Sequence, residues 1–188
     1  MTTDRELVED TLAGLPGAFE RLVRTHQALC WHIVLKLVRD PEDARDLCQE
    51  VFLRVHRNLH QYRFDSALAT WIGRIAYTRA LRYLETRRIA LEREIGGEDG
   101  EAALERIAGG DDPQGGATQA QIDGLVRTKM NELPPIQSLL ITLYHLDELS
   151  IPEIATMTGL PSGTIKSYLA RGRARLRDAL ASTLGDTP

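Results

Sequence analysis

Apolar residues recur along the first half of the chain at the three-and-four spacing of an amphipathic helix. Phe19, Leu22 and Val23 are followed by Leu29, Ile33 and Leu37, and then by Leu47, Val51, Phe52, Val55 and Leu59. This pattern predicts at least three helices, with Asp40-Pro41 as a stop and restart, since Asp caps the next helix and Pro suits its first turn. A further helix is expected from Ala67 to about Arg88, built on Leu68, Trp71, Ile72, Ile75, Leu81 and Leu84. Leu125 to Leu133 and Ile136 to Leu146 continue the pattern on either side of Pro134-Pro135. No alternating run bounded by turn signals occurs, so no sheet is expected, and no fixed-period repeat is present. The fold class read from this is all-α, in two small helical domains.

Between the two lies a stretch of another character. Residues 95–123 hold Gly96, Gly97, Gly100, Gly109, Gly110, Gly115, Gly116 and Pro113, with seven acids against Arg106. Such a segment buries little and costs much backbone entropy to order, so it reads as an acidic flexible linker. Short helical turns around Ala102 to Ile107 are the most it is expected to form. It also explains the total charge. The 188 residues carry 23 basic and 27 acidic groups, net -4, yet residues 1–94 and 124–188 are each +1 and the linker is -6. The total excludes a polybasic nucleic-acid coat but not a reader of DNA.

The most informative local signal follows Leu149. Ser150-Ile-Pro-Glu153 has capping-box spacing, Pro152 sits in a first turn where its missing donor does no harm, and Gly159 can take the left-handed conformation that ends a helix. Ile151, Ile154 and Ala155 are expected to face inward. After Gly159-Leu-Pro161, Ser162 is a second N-cap candidate. Ile165, Leu169, Gly172 and Leu176 then form one close-packing stripe, and the other faces carry Thr164, Lys166, Ser167, Tyr168, Arg171, Arg173, Arg175 and Arg177. Two short helices around a glycine turn, the second capped and basic, make a helix-turn-helix whose second helix can enter the major groove. Ser162, Thr164, Lys166 and Ser167 stand nearest the base edges, and the arginines suit phosphates.

The amino-terminal lobe is divided by charge. Residues 1–53 hold 10 acids against 6 bases, whereas residues 54–88 hold eight arginines against Asp65 and Glu85. Tyr62, Phe64, Trp71, Tyr77 and Tyr83 are interleaved with those arginines. Phosphate-holding arginines beside rings that stack on exposed bases are the ingredients of a single-stranded nucleic-acid surface. Trp71 is expected mostly in the core, and Tyr77 and Tyr83 are expected to be accessible.

Other chemistry is thin. His26 and Cys30 lie one helical turn apart, but no oriented third group or glycine-rich phosphate loop accompanies them, and His26, Cys30 and Cys48 match no common zinc spacing. No enzyme activity, metal or cofactor is expected. Two cysteines without a second pair give no disulfide framework, which fits a reducing compartment. The acidic start lacks the basic and apolar runs of a signal peptide, and no stretch is long enough to insert in a membrane, so the cytoplasm is the expected location.

Three segments together carry a family resemblance. Asp40-Pro-Glu-Asp-Ala-Arg-Asp-Leu-Cys-Gln-Glu-Val-Phe-Leu-Arg-Val-His56 resembles the core-polymerase-binding segment of bacterial sigma factors of the extracytoplasmic-function (ECF) group. Ala69-Thr-Trp-Ile-Gly-Arg-Ile-Ala76 is similar to the start of that family's promoter-melting and minus-ten region. Leu149 to Ala155, Gly159, Gly163-Thr-Ile-Lys-Ser167 and Arg173 to Arg177 resemble its minus-thirty-five helix-turn-helix. The resemblance implies a region 2 domain over 1–94, a linker over 95–123 and a region 4 domain over 124–188. It further implies core RNA polymerase and promoter DNA as partners, with an anti-sigma factor as a family expectation. Asp46, Gln49, Glu50, Phe52 and Arg54 occupy the polymerase-docking positions; Arg74, Tyr77, Thr78, Arg79, Arg82, Arg87 and Arg88 the minus-ten region. Ser162, Thr164, Lys166, Ser167, Tyr168, Arg171 and Arg173 occupy the minus-thirty-five reader. The acidic linker would run through the polymerase's basic channel in place of RNA.

The chain departs from the family pattern at three places. Thr78 and Arg82 stand where the family usually has asparagine and aspartate, which implies an altered minus-ten preference or a stronger phosphate contact, and Tyr168 stands where arginine is common. The competing reading is a stand-alone helix-turn-helix regulator whose first lobe dimerises or senses; it would bind a palindromic duplex unaided.

Overall fold

The computed structural model describes residues 3–95 and 119–185, with side chains over 3–90 and 123–183. Every regular element among them is helical: α1 Asp4–Leu12, α2 Ala18–Val38, α3 Pro41–Asn58, α4 Leu68–Ile95, α5 Gln119–Glu132, α6 Pro135–His145, α7 Ile151–Thr158 and α8 Ser162–Gly185. A 3-10 turn, Leu59–Gln61, follows α3. Residues 96–118 of the expected linker, including the turns around Ala102, lie outside the described residues, and α5 begins at Gln119, inside the stretch read as linker.

Two expectations about elements change. Phe19 to Leu37 belong to one helix of 21 residues, because no breaker interrupts Val23 to Leu29. α1, which periodicity did not reveal, is nucleated by a capping box in which Thr3 Oγ1 accepts from the Glu6 N–H and Glu6 accepts from the Thr3 N–H. Its Asp4 carboxylate accepts from the Leu68 N–H at 2.8 Å and so caps α4 across the lobe.

The α2–α3 junction forms as its residues dictate. Arg39 adopts φ 62 and ends α2, and Asp40 accepts from the N–H groups of Glu42 and Asp43 to start α3. The resulting antiparallel hairpin packs on α4, and Leu22, Ile33, Leu59, Leu68 and Ile72 are wholly buried at its centre. In the second lobe Leu139, Leu140, Leu143, Ile154, Ile165 and Leu169 play the same part. Gly172 lets α8 approach α6: a Cβ there would stand 2.8 Å from Ile141 Cδ1 and 3.3 Å from Gln137 Cβ.

The two lobes pack against each other, which the sequence did not predict. α2 contacts α6 and α4 contacts α7, and the buried apolar residues of both lobes form one contiguous core. Met157 of α7 is seated on Gly73 of α4, where a Cβ would lie 2.4 Å from Met157 Cε. Polar links ring this contact: His32 Nδ1 lies 2.8 Å from Asp147 Oδ1, Lys36 donates to Asn131, and the Arg39 guanidinium donates to the Leu133 carbonyl.

Candidate functional site

α3 presents two adjoining surfaces. Asp46, Gln49, Glu50 and Arg54 are exposed along one stripe, and Leu53, 56% exposed, stands among them at the same helical spacing. Leu53 belongs neither to the apolar series nor to the docking positions read from the sequence; its spacing from Asp46, Gln49 and Glu50 was the available signal. Phe52 points the other way. It is 8% exposed and forms one wall of a groove of about 570 Å³ between α2 and α3, lined also by Trp31, His32, Arg45, Cys48 and Gln49.

The arginines of α4 divide between two faces. On one face Arg79 pairs with Glu50, its Nε and Nη2 both 2.6 Å from Glu50 Oε2, so a candidate DNA contact and a candidate polymerase contact are joined. One helical stretch further on, Asp43 Oδ2 accepts from Tyr83 OH at 2.5 Å and from Arg87 Nη1 at 3.0 Å. Burial, and then the Asp43 hydrogen bond, hold the Tyr83 phenol above its ordinary value. Arg88 is exposed and also engaged in a polar interaction.

On the other face Arg74, Tyr77, Thr78 and Arg82 line a cleft of about 350 Å³ opposite Thr156, Met157, Thr158 and Gly159 of α7. Tyr77 is therefore 8% exposed rather than accessible, which corrects the expectation from sequence. The cause is tertiary: α7 covers this face of α4, and burial, with Tyr168 nearby, raises the Tyr77 phenol. Trp71 is half-buried, against the ring of Tyr62 at 5.4 Å.

The helix-turn-helix forms as its sequence specifies. Ser150 and Glu153 make both bonds of the capping box, the Ser150 hydroxyl and then its backbone N–H hold the Glu153 carboxyl below its ordinary value by donating to it, and Gly159 closes α7 at φ 75. α8 includes Ser162 as its first residue, and the Ile165 N–H bonds the Pro161 carbonyl, so the cap falls one residue before the expected Ser162. Ile165, Leu169 and Gly172 face inward. Ser162, Lys166, Ser167, Arg171 and Arg173 are exposed together, with Thr164 and Tyr168 half-buried at their edge. The Arg171 guanidinium lies over the Tyr168 ring at 5.1 Å, and Arg173 Nε donates to the Leu169 carbonyl. The result is a helix whose exposed face from Ser162 to Arg177 is polar and basic.

Among the described residues no three His, Cys, Asp or Glu side chains gather to hold a metal, and no helix is long and apolar enough to cross a membrane.

Comparison with known proteins matches both lobes. Residues 22–89 fit the family described as Sigma-70 region 2, and residues 123–176 fit Sigma-70, region 4. The RNA polymerase sigma-H factor of Pseudomonas aeruginosa is 32% identical over 187 residues, spanning 96% of this chain and 95% of that protein. The chain belongs to the ECF sigma factors of RNA polymerase. The ECF RNA polymerase sigma-E factor of Escherichia coli is 34% identical to this sigma factor, over 91% of each chain. Among solved structures, RpoE of Bartonella quintana, in complex with the anti-sigma factor NepR, superposes with a TM-score of 0.63 at 21% identity, covering 87% of this sigma factor and 97% of RpoE. CnrH, in complex with the cytosolic domain of CnrY, also gives 0.63, at 20% identity and 95% and 97% coverage. These two likenesses concern the fold. Membership disfavours the stand-alone regulator, whose first lobe would have no reason to match region 2.

Proposed function

We propose that this sigma factor docks on core RNA polymerase through α3, reads minus-thirty-five DNA through α8 and holds the opened minus-ten strand on α4. The observation that carries the reading is the division of surfaces. An exposed stripe of Asp46, Gln49, Glu50, Leu53 and Arg54 beside an apolar groove suits a protein partner, whereas the exposed face of α8 from Ser162 to Arg177, with Lys166, Arg171 and Arg173 and no acid, suits duplex DNA. On α4, Arg74, Thr78 and Arg82 share a face with Tyr77, which supplies phosphate contact and base stacking once α7 is lifted from it. Residues 1–94 would act as the region 2 unit, 95–123 as the acidic connector and 124–188 as the region 4 unit.

An anti-sigma factor is a further partner in this reading, by extension from the complex of RpoE with NepR. The cytoplasm, where core polymerase works, is the proposed location.

Reconstituted transcription tests the proposal: core polymerase with this protein and genomic DNA fragments gives promoter-specific transcripts, and neither component alone does. A failure to bind core, or transcription without promoter preference, would end it.

A further inference from the structure

Cys30 and Cys48 are assigned no role of their own above, although Cys48 lines the α2–α3 groove. α2 and α3 are joined only by Arg39 and Asp40; Cys30 stands eight residues before the end of α2, and Cys48 seven after the start of α3. At roughly 1.5 Å per residue the two positions lie within about 2 Å of the same level along the hairpin. Each thiol is the largest influence on the other's proton affinity, so the two sulfurs are neighbours across the hairpin.

Their surroundings differ in the way a reacting pair requires. Cys30 is wholly buried in the core, whereas Cys48 is half-buried and opens into the groove beside Trp31, His32 and Arg45. The neighbouring Cys30 lowers the Cys48 thiol from its ordinary value despite burial, and Cys48 together with burial raises Cys30. The accessible sulfur is thus the one that more readily becomes a thiolate, and the buried one keeps its proton.

We propose that Cys48 and Cys30 are a hydroperoxide-reactive pair that closes to an intramolecular disulfide while the α2–α3 groove is vacant. The dependence on vacancy rests on the reading of that groove as part of the polymerase-docking face. The Cys48 thiolate attacks the O–O bond of a hydroperoxide; an S–O bond forms, the O–O bond breaks, and the departing oxygen takes a proton and leaves as alcohol, or as water from hydrogen peroxide. The Cys30 sulfur then attacks the Cys48 sulfenic acid; the S–S bond forms, the S–O bond breaks, and the Cys30 proton leaves with the hydroxyl as water. Two thiols are oxidised by two electrons, and the peroxide is reduced by the same two.

The test uses the reduced full-length protein and hydrogen peroxide, followed by intact mass and peptide mapping. The expected wild-type product is a monomer lighter by two hydrogens, its Cys30 and Cys48 peptides joined and released by dithiothreitol. Cys30→Ser stops at a Cys48 sulfenic acid trapped by dimedone, and Cys48→Ser leaves Cys30 unreacted. Wild-type protein that keeps both thiols, or yields only intermolecular dimers, overturns the pair without reference to any variant. Core polymerase at about ten times its Kd is expected to slow loss of the Cys48 thiol about tenfold. An unchanged rate with core bound overturns the dependence on vacancy and counts against the groove as a docking face, while the disulfide in free protein still stands or falls by the first arm.

Discussion

Glu50 of α3 and Arg79 of α4 form an ion pair at 2.6 Å, so the residue placed on the polymerase-docking stripe holds a residue placed on the promoter strand. The Arg79 side chain is 21% exposed and that of Glu50 47%, so solvent screens the pair and its share in folding stability is at most about 1 kcal/mol. Docking and folding can therefore be separated. Glu50→Lys is expected to weaken core binding at least about tenfold, or ~1.4 kcal/mol, while its thermal unfolding shifts little. The charge swap Glu50→Arg with Arg79→Glu should recover stability but not core affinity. Recovery of core affinity by the swap would make the pair a structural brace only.

Gly73 governs whether α7 can sit on α4. A Cβ there meets Met157 Cε at 2.4 Å, Met157 Sδ at 2.7 Å and Ile33 Cδ1 at 3.2 Å. Alanine is expected to be absorbed partly by the flexible Met157, whereas Gly73→Leu must separate the lobes or strain the core by roughly 1–3 kcal/mol. Small-angle scattering should show expansion for Gly73→Leu, and the freed Tyr77 face should bind single-stranded minus-ten DNA more tightly than wild type. An unexpanded variant with unchanged DNA affinity would show that α7 does not limit access to Tyr77.

Arg173 tests the division of labour from the other side. Exposed on α8 and placed for a phosphate, it should contribute affinity without base preference. Arg173→Ala is expected to weaken duplex binding by the holoenzyme at all minus-thirty-five sequences alike, lower the salt slope by about 1 and leave core binding intact. Relaxed sequence preference in a binding titration across promoter variants would place Arg173 on a base edge instead.

His26 supplies a pH dependence. It is buried in α2, its Nε2 has no hydrogen-bond partner, and burial lowers its pKa from the ordinary 6.5, with Asp4 opposing. The unfolded chain therefore binds the proton more readily than the folded one. The contribution to stability is full above about 6.5 and is lost as pH falls from there through the folded value. Urea titrations from neutrality to about pH 5 should show falling stability, and His26→Leu should remove much of the slope. An identical slope in the variant would assign the acid sensitivity to other groups.

Much of this architecture was legible in the residues because local physics decides it. The capping box at Ser150, the glycine at 159 and the stripe of Ile165, Leu169 and Gly172 specify α7 and α8 without help from the rest of the chain. Asp40-Pro41 likewise fixes the hairpin turn. α1 was missed although Thr3 and Glu6 have the same capping spacing as Ser150 and Glu153, because a helix of nine residues shows little periodicity. What no local rule contains is the meeting of lobes. Met157 on Gly73, His32 with Asp147 and the cover over Tyr77 join residues far apart in sequence, as do Glu50 and Arg79. A face of α4 that reads as solvent-facing arginine and tyrosine becomes half an interface only when α7 is brought to it.

The single core shared by both lobes sets a condition on any working complex. Lifting α6 from α2 and α7 from α4 hydrates the side chains around Ile33, Gly73 and Met157, an exposure that costs free energy in proportion to apolar area. A partner that keeps the lobes apart must therefore lay apolar surface of its own against theirs, so opening is an exchange of one dry interface for another rather than the release of a hinge.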